Sequence, residues 1–371
     1  MPAPFAMREL DKKATDSTEG ATPSMPQARD TDEQESALAT QPIRIGVLGT
    51  ARIARGVIPQ IHASQSAAVV AVGSRSVGKA QQFANEFGIP EFLGSYDEIL
   101  ALPSVDAVYI PLPPAHHEEW TLKAAAAGKH VLCEKPLAVN AAQCRRMIES
   151  CIAANVVLLD CTMWYHTERA RAMKQFVTSD QLGSVRQITA AFTFPGDALS
   201  PENLRFSSAL GGGSLLDIGW YCVGASLWML EQMPARVFAT AQWRNGVDWR
   251  MNGLLWFPDR QMASLECGFD AIRRRWIEIA GTSAAVVCDD FTRPWNVEKP
   301  RFWIHDNQGT SHQHVVPHPP IERCLVEAFC DLIRSQNVRH QWLPLSLQTQ
   351  TVCDAMLKSA ANETIELVST L

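Results

Sequence analysis

The chain has 371 residues; at roughly 150 residues per domain that length suits two domains, each with room for a core, and excludes a peptide or a disulfide mini-protein. Lys and Arg total 33 and Asp and Glu 39, a formal charge of −6. No basic face for a phosphate backbone is implied, so nucleic acid is not an expected partner. Charged residues make up only 19%, a low share that points to extensive buried surface, part of it between subunits.

Ten cysteines are scattered from Cys133 to Cys353 with no Cys-x-x-Cys pair, which excludes zinc-ribbon and thioredoxin-like arrangements. Most stand inside apolar runs such as Val131-Leu132-Cys133, where a thiol behaves as a small buried hydrophobe in a reducing compartment. No apolar stretch approaches the ~18 residues of a membrane span, and the N-terminus has no charged region leading into an apolar one. A cytoplasmic location away from membranes is expected.

In chain order, residues Met1 to Gln41 are rich in Asp, Glu, Thr, Ser, Ala and Pro without an apolar period. Such a segment buries too little to offset its ordering entropy, and 1–41 is expected as a disordered tail. Order begins at Ile43-Arg44-Ile45-Gly46-Val47-Leu48-Gly49, an apolar run ending in glycine, followed by a helical pattern through Ile53, Ile58 and Ile61. The spacing then predicts a strand over 68–73, helices over 77–87 and 96–102, a strand over 107–110, a helix over 118–127, a strand over 130–133, a helix over 141–154 and a strand over 156–159. Strands alternating with helices specify βαβ units, hence an α/β, doubly wound parallel sheet over 42–161.

From Thr162 the rhythm changes. Alternating runs at 185–194, 235–243, 253–256, 262–269 and 276–280 imply an open, mainly antiparallel sheet, interrupted by one strongly apolar helix over 214–230. Leu347 to Thr364 reads as a closing helix. Residues 162–371 are thus expected as an α+β domain for substrate binding and oligomerisation, its last helix returning toward the first domain.

Immediately after the first strand stand Gly49, Thr50, Ala51, Arg52, Ile53 and Ala54, which fit G-x-G-x-x-G only as G-x-A-x-x-A. Between a strand and a helix this pattern has a physical meaning: Gly49 allows the tight turn, backbone N–H groups face a pyrophosphate, and the helix N-terminus favours its charge. The alternative is a βα turn that binds nothing. At the end of the second strand an NAD site places Asp or Glu on the ribose, whereas this chain has Ser74, Arg75 and Ser76, with Lys79 one helical step on. Cationic and hydroxyl side chains suit a 2′-phosphate, so NADP is expected over NAD; the alternative is a solvated helix start.

Strand 130–133 runs into Glu134-Lys135-Pro136, which delivers Lys135 to the carboxyl end of the sheet, where a nicotinamide would lie. A lysine there stabilises a developing alkoxide; the alternative is a salt-bridged loop. The second constellation is Gly211-Gly212-Gly213-Ser214, with Ser214 as a candidate N-cap, leading to Asp217 and Tyr221 on one face of the apolar helix. A carboxylate and a phenol on such a helix are costly unless paired or used. Tyr221 as a base needs a cation beside it, and Lys135 is the candidate; the alternative is a buried Asp–Tyr hydrogen bond that fixes the helix.

Taken together, Gly49-x-Ala51-x-x-Ala54, the stretch Ala126-Ala127-Gly128-Lys129-His130-Val131-Leu132-Cys133-Glu134-Lys135-Pro136 and Gly211-Gly212-Gly213-x-Leu215-x-Asp217-Ile218-Gly219-x-Tyr221 resemble the Gfo/Idh/MocA oxidoreductase family. Tyr221, where many members have His, resembles the branch of glucose-fructose oxidoreductase, dimeric dihydrodiol dehydrogenase and NADP-linked D-xylose dehydrogenase. The resemblance implies a Rossmann domain, an open-faced α+β domain whose sheet forms a homodimer or homotetramer interface, and hydride transfer between NAD(P) and a sugar, polyol or cyclic diol. It gives Lys135, Asp217 and Tyr221 catalytic roles and places Pro113, His117 and Glu134 beside the cofactor. It also implies that the Lys135-Pro136 bond is often cis.

Two positions depart from the pattern: Ala51 replaces the second glycine, and Pro114 stands where Asn is common. Thr162-Met163-Trp164-Tyr165-His166 resembles the aromatic and histidine run lining the substrate cleft, making Trp164 and His166 candidate substrate residues against a structural role for the histidine. Arg205 is a third candidate, against surface ion pairing. His312, His314 and His318 stand in an expected polar loop without a carboxylate partner, so no metal is expected. Arg273-Arg274-Arg275-Trp276 reads as a solvated sheet edge or interface. Within the same fold, a glycoside hydrolase using NAD transiently and a sugar- or NADP-sensing regulatory protein remain alternatives.

Overall fold

A computed structural model describes residues 41–368, so the tail expected over 1–41 lies, but for Gln41, outside the described residues. The first part of the chain alternates β1 (Ile43–Leu48), α1 (Ala54–His62), β2 (Ala67–Gly73), α2 (Val77–Phe87), β3 (Glu91–Leu93), α3 (Tyr96–Ala101), β4 (Ala107–Ile110), α4 (His117–Ala126), β5 (His130–Cys133), α5 (Ala141–Ala153) and β6 (Leu158–Asp160). Their strands form one six-stranded parallel sheet in the order β3-β2-β1-β4-β5-β6. Strands β1, β4 and β5 are covered on both faces, which is why they read as unbroken apolar runs. The direction of winding reverses between β1 and β4, and a ligand crevice opens there beyond the carboxyl ends. Only three-residue β3 had no sequence signal.

After α6 (Glu168–Val177) come β7 (Val185–Thr193), α7 (Trp220–Leu230), β8 (Arg236–Arg244), β9 (Val247–Trp256), β10 (Met262–Gly268), β11 (Arg274–Gly281), β12 (Ala284–Cys288), β13 (Arg301–Asp306), β14 (Ser311–Val315), α8 (Ile321–Arg334), α9 (Trp342–Asn362) and β15 (Glu366–Leu367). These strands build a nine-stranded sheet, β14-β13-β12-β11-β7-β10-β9-β8-β15. It is antiparallel except for the parallel pair β7–β10. Helix α7 is apolar around its whole circumference and lies buried against the inner face of this sheet and against α9.

Three sequence expectations are corrected. His312 and His314 lie on β14, paired with β13, rather than in a loop; His312 faces Asp306 at 3.5 Å and His314 stacks on Phe302. Arg274 to Trp276 belong to β11, an interior strand, not an edge. The apolar helix expected over 214–230 is two elements, a wide π-turn at Leu215–Gly219 and then α7. Helix α8, unrecognised in the sequence, sends Ile321, Leu325, Val326 and Phe329 into the core beside β1, while α9 packs on α5 and β6 as well as β8.

Candidate active site

The crevice begins at Gly49, whose φ of +119° is a conformation that favours glycine. Its N–H donates to the Gly73 carbonyl at 2.9 Å, so the loop leaves the sheet at the switch point. No side chain caps α1; its first-turn N–H groups at Ala54, Arg55 and Gly56 donate to the carbonyl oxygens of Ala51, Arg52 and Ile53 at 3.1, 3.2 and 3.0 Å. A cavity of about 330 Å³ lies there, lined by Gly49, Thr50 and Ala51 on one side and Ser74, Arg75, Ser76 and Lys79 on the other, with Pro113 closing it. Arg75 and Lys79 are exposed and, among the described residues, carry no ion pair. Arg52 and Ile53 stand exposed at the crevice rim.

At the end of β5, Glu134 is buried and accepts a hydrogen bond from the Tyr109 hydroxyl at 2.7 Å. Burial pushes its carboxyl up, and the phenol and Lys135 only partly oppose that. The Lys135-Pro136 bond is cis. His117 does not enter the crevice: it is fully buried, with Nδ1 2.9 Å from the Pro136 carbonyl oxygen and Nε2 2.8 Å from that of Leu112. It therefore holds the ends of β4 and β5 in register behind the cofactor wall.

Lys135 Nζ donates to both the carbonyl oxygen and Oδ1 of Asp217, at 2.7 and 2.9 Å. The second carboxylate oxygen accepts from Arg205 Nε at 2.5 Å. Burial alone would neutralise Asp217, but two cations reverse it and hold its pKa down at about 2. Lys135 likewise stays charged, because Asp217 and then Tyr221 outweigh its desolvation. The Tyr221 ring lies 5.2 Å from Lys135 Nζ. Burial pushes its phenol up to about 12, with Lys135 pulling the other way, so the phenol carries its proton at neutral pH.

The π-turn sets this arrangement. Asp217 and Tyr221 are separated by a widened turn, so they do not stack as an α-helical pair, and no hydrogen bond joins them among the described residues. The Asp–Tyr alternative is thereby replaced by a Lys–Asp–Arg cluster. Ser214 does not cap the turn; its hydroxyl donates to Asp248 Oδ2 at 2.7 Å, and the Leu215 N–H donates to the same oxygen at 2.6 Å. Asp248, on β9, is thus the anchor of the turn that carries Asp217. Gly213 is obligatory beside it, since φ is +114° and a Cβ would collide with the carboxylate. Sequence reasoning missed Asp248, whose signal is an acidic residue at an inward position of an alternating strand.

Trp164 and His166 are not in the crevice. Trp164 is buried among Tyr165, Trp228 and Phe291, with ring centroids 4.8 to 5.4 Å apart, and His166 packs on Trp342. Burial pushes the His166 imidazole down to about 3, so it is a neutral core histidine. The run still reaches the site indirectly, because Thr162 Oγ1 accepts from Trp220 Nε1 at 3.0 Å, one residue from Tyr221.

Residues 43–160 match the family described as oxidoreductase family, NAD-binding Rossmann fold, and residues 170–287 match its C-terminal domain. The chain is 39% identical to D-xylose 1-dehydrogenase (NADP(+)) 2 of Haloferax volcanii over 64% of this chain and 73% of that protein. It is 32% identical to trans-1,2-dihydrobenzene-1,2-diol dehydrogenase of Sus scrofa over 58% of this chain and 64% of that one. A 3-ketoreductase from Actinomadura kijaniata, crystallised with NADP and TDP-benzene, superposes with a TM-score of 0.80 at 30% identity, covering 86% of this chain and 98% of the other. Matched from β1 to β12, the chain belongs to the Gfo/Idh/MocA oxidoreductase family.

Proposed function

We propose that the chain is an NADP-dependent oxidoreductase in which Lys135, Asp217 and Tyr221 act on a hydroxyl or carbonyl carbon of a sugar, polyol or cyclic diol. The observation that carries this is the Lys135–Asp217–Arg205 cluster beside the Tyr221 phenol, next to a crevice walled by Arg75 and two serines. The similarity to an NADP(+)-linked D-xylose dehydrogenase and to a dihydrobenzenediol dehydrogenase supports the substrate class. The residues present fit NADP: the crevice wall at β2 offers Arg75, Lys79 and hydroxyls and no Asp or Glu among its lining residues.

When bound, the nicotinamide supplies or takes the hydride. Lys135 holds the substrate oxygen and stabilises negative charge on it. Tyr221 moves the proton; its protonated phenol is the donor for carbonyl reduction and must lose its proton for oxidation. Asp217 keeps Lys135 charged and fixes its direction. Arg205 shares that carboxylate, so two cations face one anion and the cluster keeps one positive charge toward the substrate oxygen. Thr50, Ala51, Arg52 and Ile53 would hold the pyrophosphate, and Pro113 and Glu134 would border the nicotinamide ribose.

Residues 42–161 serve the cofactor and 162–371 the substrate. The outward face of the nine-stranded sheet carries Trp276, Phe238, Leu254 and Trp256 partly exposed, which supports a homodimer or homotetramer built across it. No helix among the described residues is long and apolar enough to cross a membrane, and all ten cysteines are free thiols, in keeping with a cytoplasmic enzyme. A spectrophotometric screen of aldoses, inositols and dihydrodiols with NADP and NAD separately tests the function. NADP-linked turnover supports it, and a catalytic efficiency favouring NAD overturns the cofactor preference.

A further inference from the structure

One guanidinium near the site makes no ion pair among the described residues. Arg275 lies on the inner face of β11, directly across from Phe192 on β7, and the Phe192 ring packs 5.6 Å from that of Tyr221. Arg275 is 7% exposed, its Nε has no hydrogen-bond partner, and among the described residues it forms no ion pair. A guanidinium buried with no directly bonded anion gains when one reaches it.

The loop that covers Arg275 is built to hold still. Arg169 pairs with the Asp290 carboxylate and donates to the carbonyl oxygens of Asp290 and Phe291 at 3.0 and 3.1 Å. The other Asp290 oxygen accepts from the Trp295 N–H at 2.6 Å. Both oxygens of Asp290 are thereby bonded within the loop, and its carboxylate acts on Arg275 through space without a hydrogen bond to it. The loop presents Trp295, 47% exposed, with its indole stacked 3.8 Å from the Arg275 guanidinium. It also presents Arg293, which pairs with Glu322 of α8. Burial lowers the Arg275 pKa to about 10; the nearby Asp290 carboxylate opposes that, and the surrounding arginines, Arg293 among them, add to it, while Arg293 also acts on Tyr221. Arg169, Arg273, Arg275 and Arg293 are four cations against the two carboxylates of Asp290 and Glu322, an excess of two positive charges around Arg275, and Arg293 carries that influence to Tyr221.

We propose that Arg275, Arg293 and the face of Trp295 form a subsite for an anionic group on the sugar, a phosphoryl or carboxylate, next to Tyr221. This rests on the reading of the cleft as a sugar oxidoreductase site and narrows its substrate class. A planar guanidinium fork suits either oxyanion, and the half-exposed indole offers an apolar face for the ring that carries it.

The test uses the full-length protein saturated with NADP+, so that the crevice at Arg75 is already filled, and measures binding of D-glucose 1-phosphate, D-glucuronate and D-glucose by calorimetry at low salt. One or both anionic sugars should bind about tenfold or more tighter than D-glucose, a preference that shrinks as salt is added. Which of the two does so identifies the oxyanion. Arg275→Met and Arg293→Gln should each bring the preference close to one, and Arg275→Met should melt no lower than the parent, because it removes a buried guanidinium that has no ion pair among the described residues. Equal binding of D-glucose, or a preference that survives both substitutions, would overturn the subsite; Arg293→Gln alters an outer side chain and keeps the test open should Arg275→Met fail to fold. Because binding is read without turnover, an anion preference that depends on these arginines sustains the subsite even if nicotinamide absorbance never changes. NADP-linked turnover with no anion preference would sink the subsite and leave the oxidoreductase reading standing.

Discussion

Lys135 holds Asp217 by two points at once: Nζ donates to the backbone carbonyl at 2.7 Å and to the carboxylate at 2.9 Å. The lysine comes from the end of β5 in the parallel sheet and the aspartate from the π-turn resting on the second sheet, so the pair joins the two layers at the crevice.

Asp217→Asn leaves Lys135 and Arg205 without their carboxylate. Its folded pKa of about 2 lies below the ordinary value, so the carboxylate contributes stability that is present above pH ~4 and lost as pH falls toward 2. The substitution should cost about 3 kcal/mol at pH 7 in urea unfolding. That cost should shrink when the same comparison is made near pH 3, and a pH-independent difference would exclude the charge pairing as its cause.

Tyr221 keeps its proton until well above neutrality. Carbonyl reduction should therefore run at a nearly constant rate between pH ~6 and ~9, while alcohol oxidation should rise with pH across the same range. Tyr221→Phe should lower kcat in both directions by about 10²-fold or more. Rates of oxidation that are flat with pH would remove Tyr221 as the proton acceptor.

Asp248 behaves oppositely to Asp217. Burial first, against the bonds from Ser214 and Leu215, raises its carboxyl to about 6. An acid raised on folding contributes stability that is complete below its unfolded pKa of ~4 and lost as pH rises through the folded value. Relative to the parent, Asp248→Asn should gain about 1 to 2 kcal/mol in unfolding free energy between pH 5 and pH 7. The same variant should lower kcat by about tenfold, since the Ser214 and Leu215 donors that anchor the π-turn lose a charged acceptor.

Arg75→Ala should lower the NADP over NAD ratio of kcat/KM by about tenfold or more, through the lost charge-assisted bond to the 2′-phosphate. An unchanged ratio would place the preference elsewhere, with Lys79 the next residue to replace.

The parallel sheet was legible because β1, β4 and β5 are buried on both faces and α3 and α5 start at the capping residues Ser95 and Asn140; α2 and β4, for example, span the residues that spacing indicates. Lys135, Asp217, Tyr221 and Arg205 were legible because their neighbours in sequence are distinctive. What escaped depends on contacts distant in sequence. Asp248 anchors a turn 33 residues away, α8 returns to a core begun at β1, and the isolation of Arg275 exists only once Asp290 is engaged by Arg169. Trp164 and His166 share a motif with cleft residues but face inward, a distinction that composition and spacing do not carry.

The most direct test follows nicotinamide absorbance while a sugar and diol panel is turned over with NADP, in the parent chain and in Lys135→Met. The parent should show a net absorbance change matching product formed. Lys135→Met should lose about 10²-fold or more of that rate while still binding NADPH. Undiminished turnover in Lys135→Met would contradict the assigned role of the lysine, and release of a leaving group with no net absorbance change would contradict hydride transfer to substrate altogether.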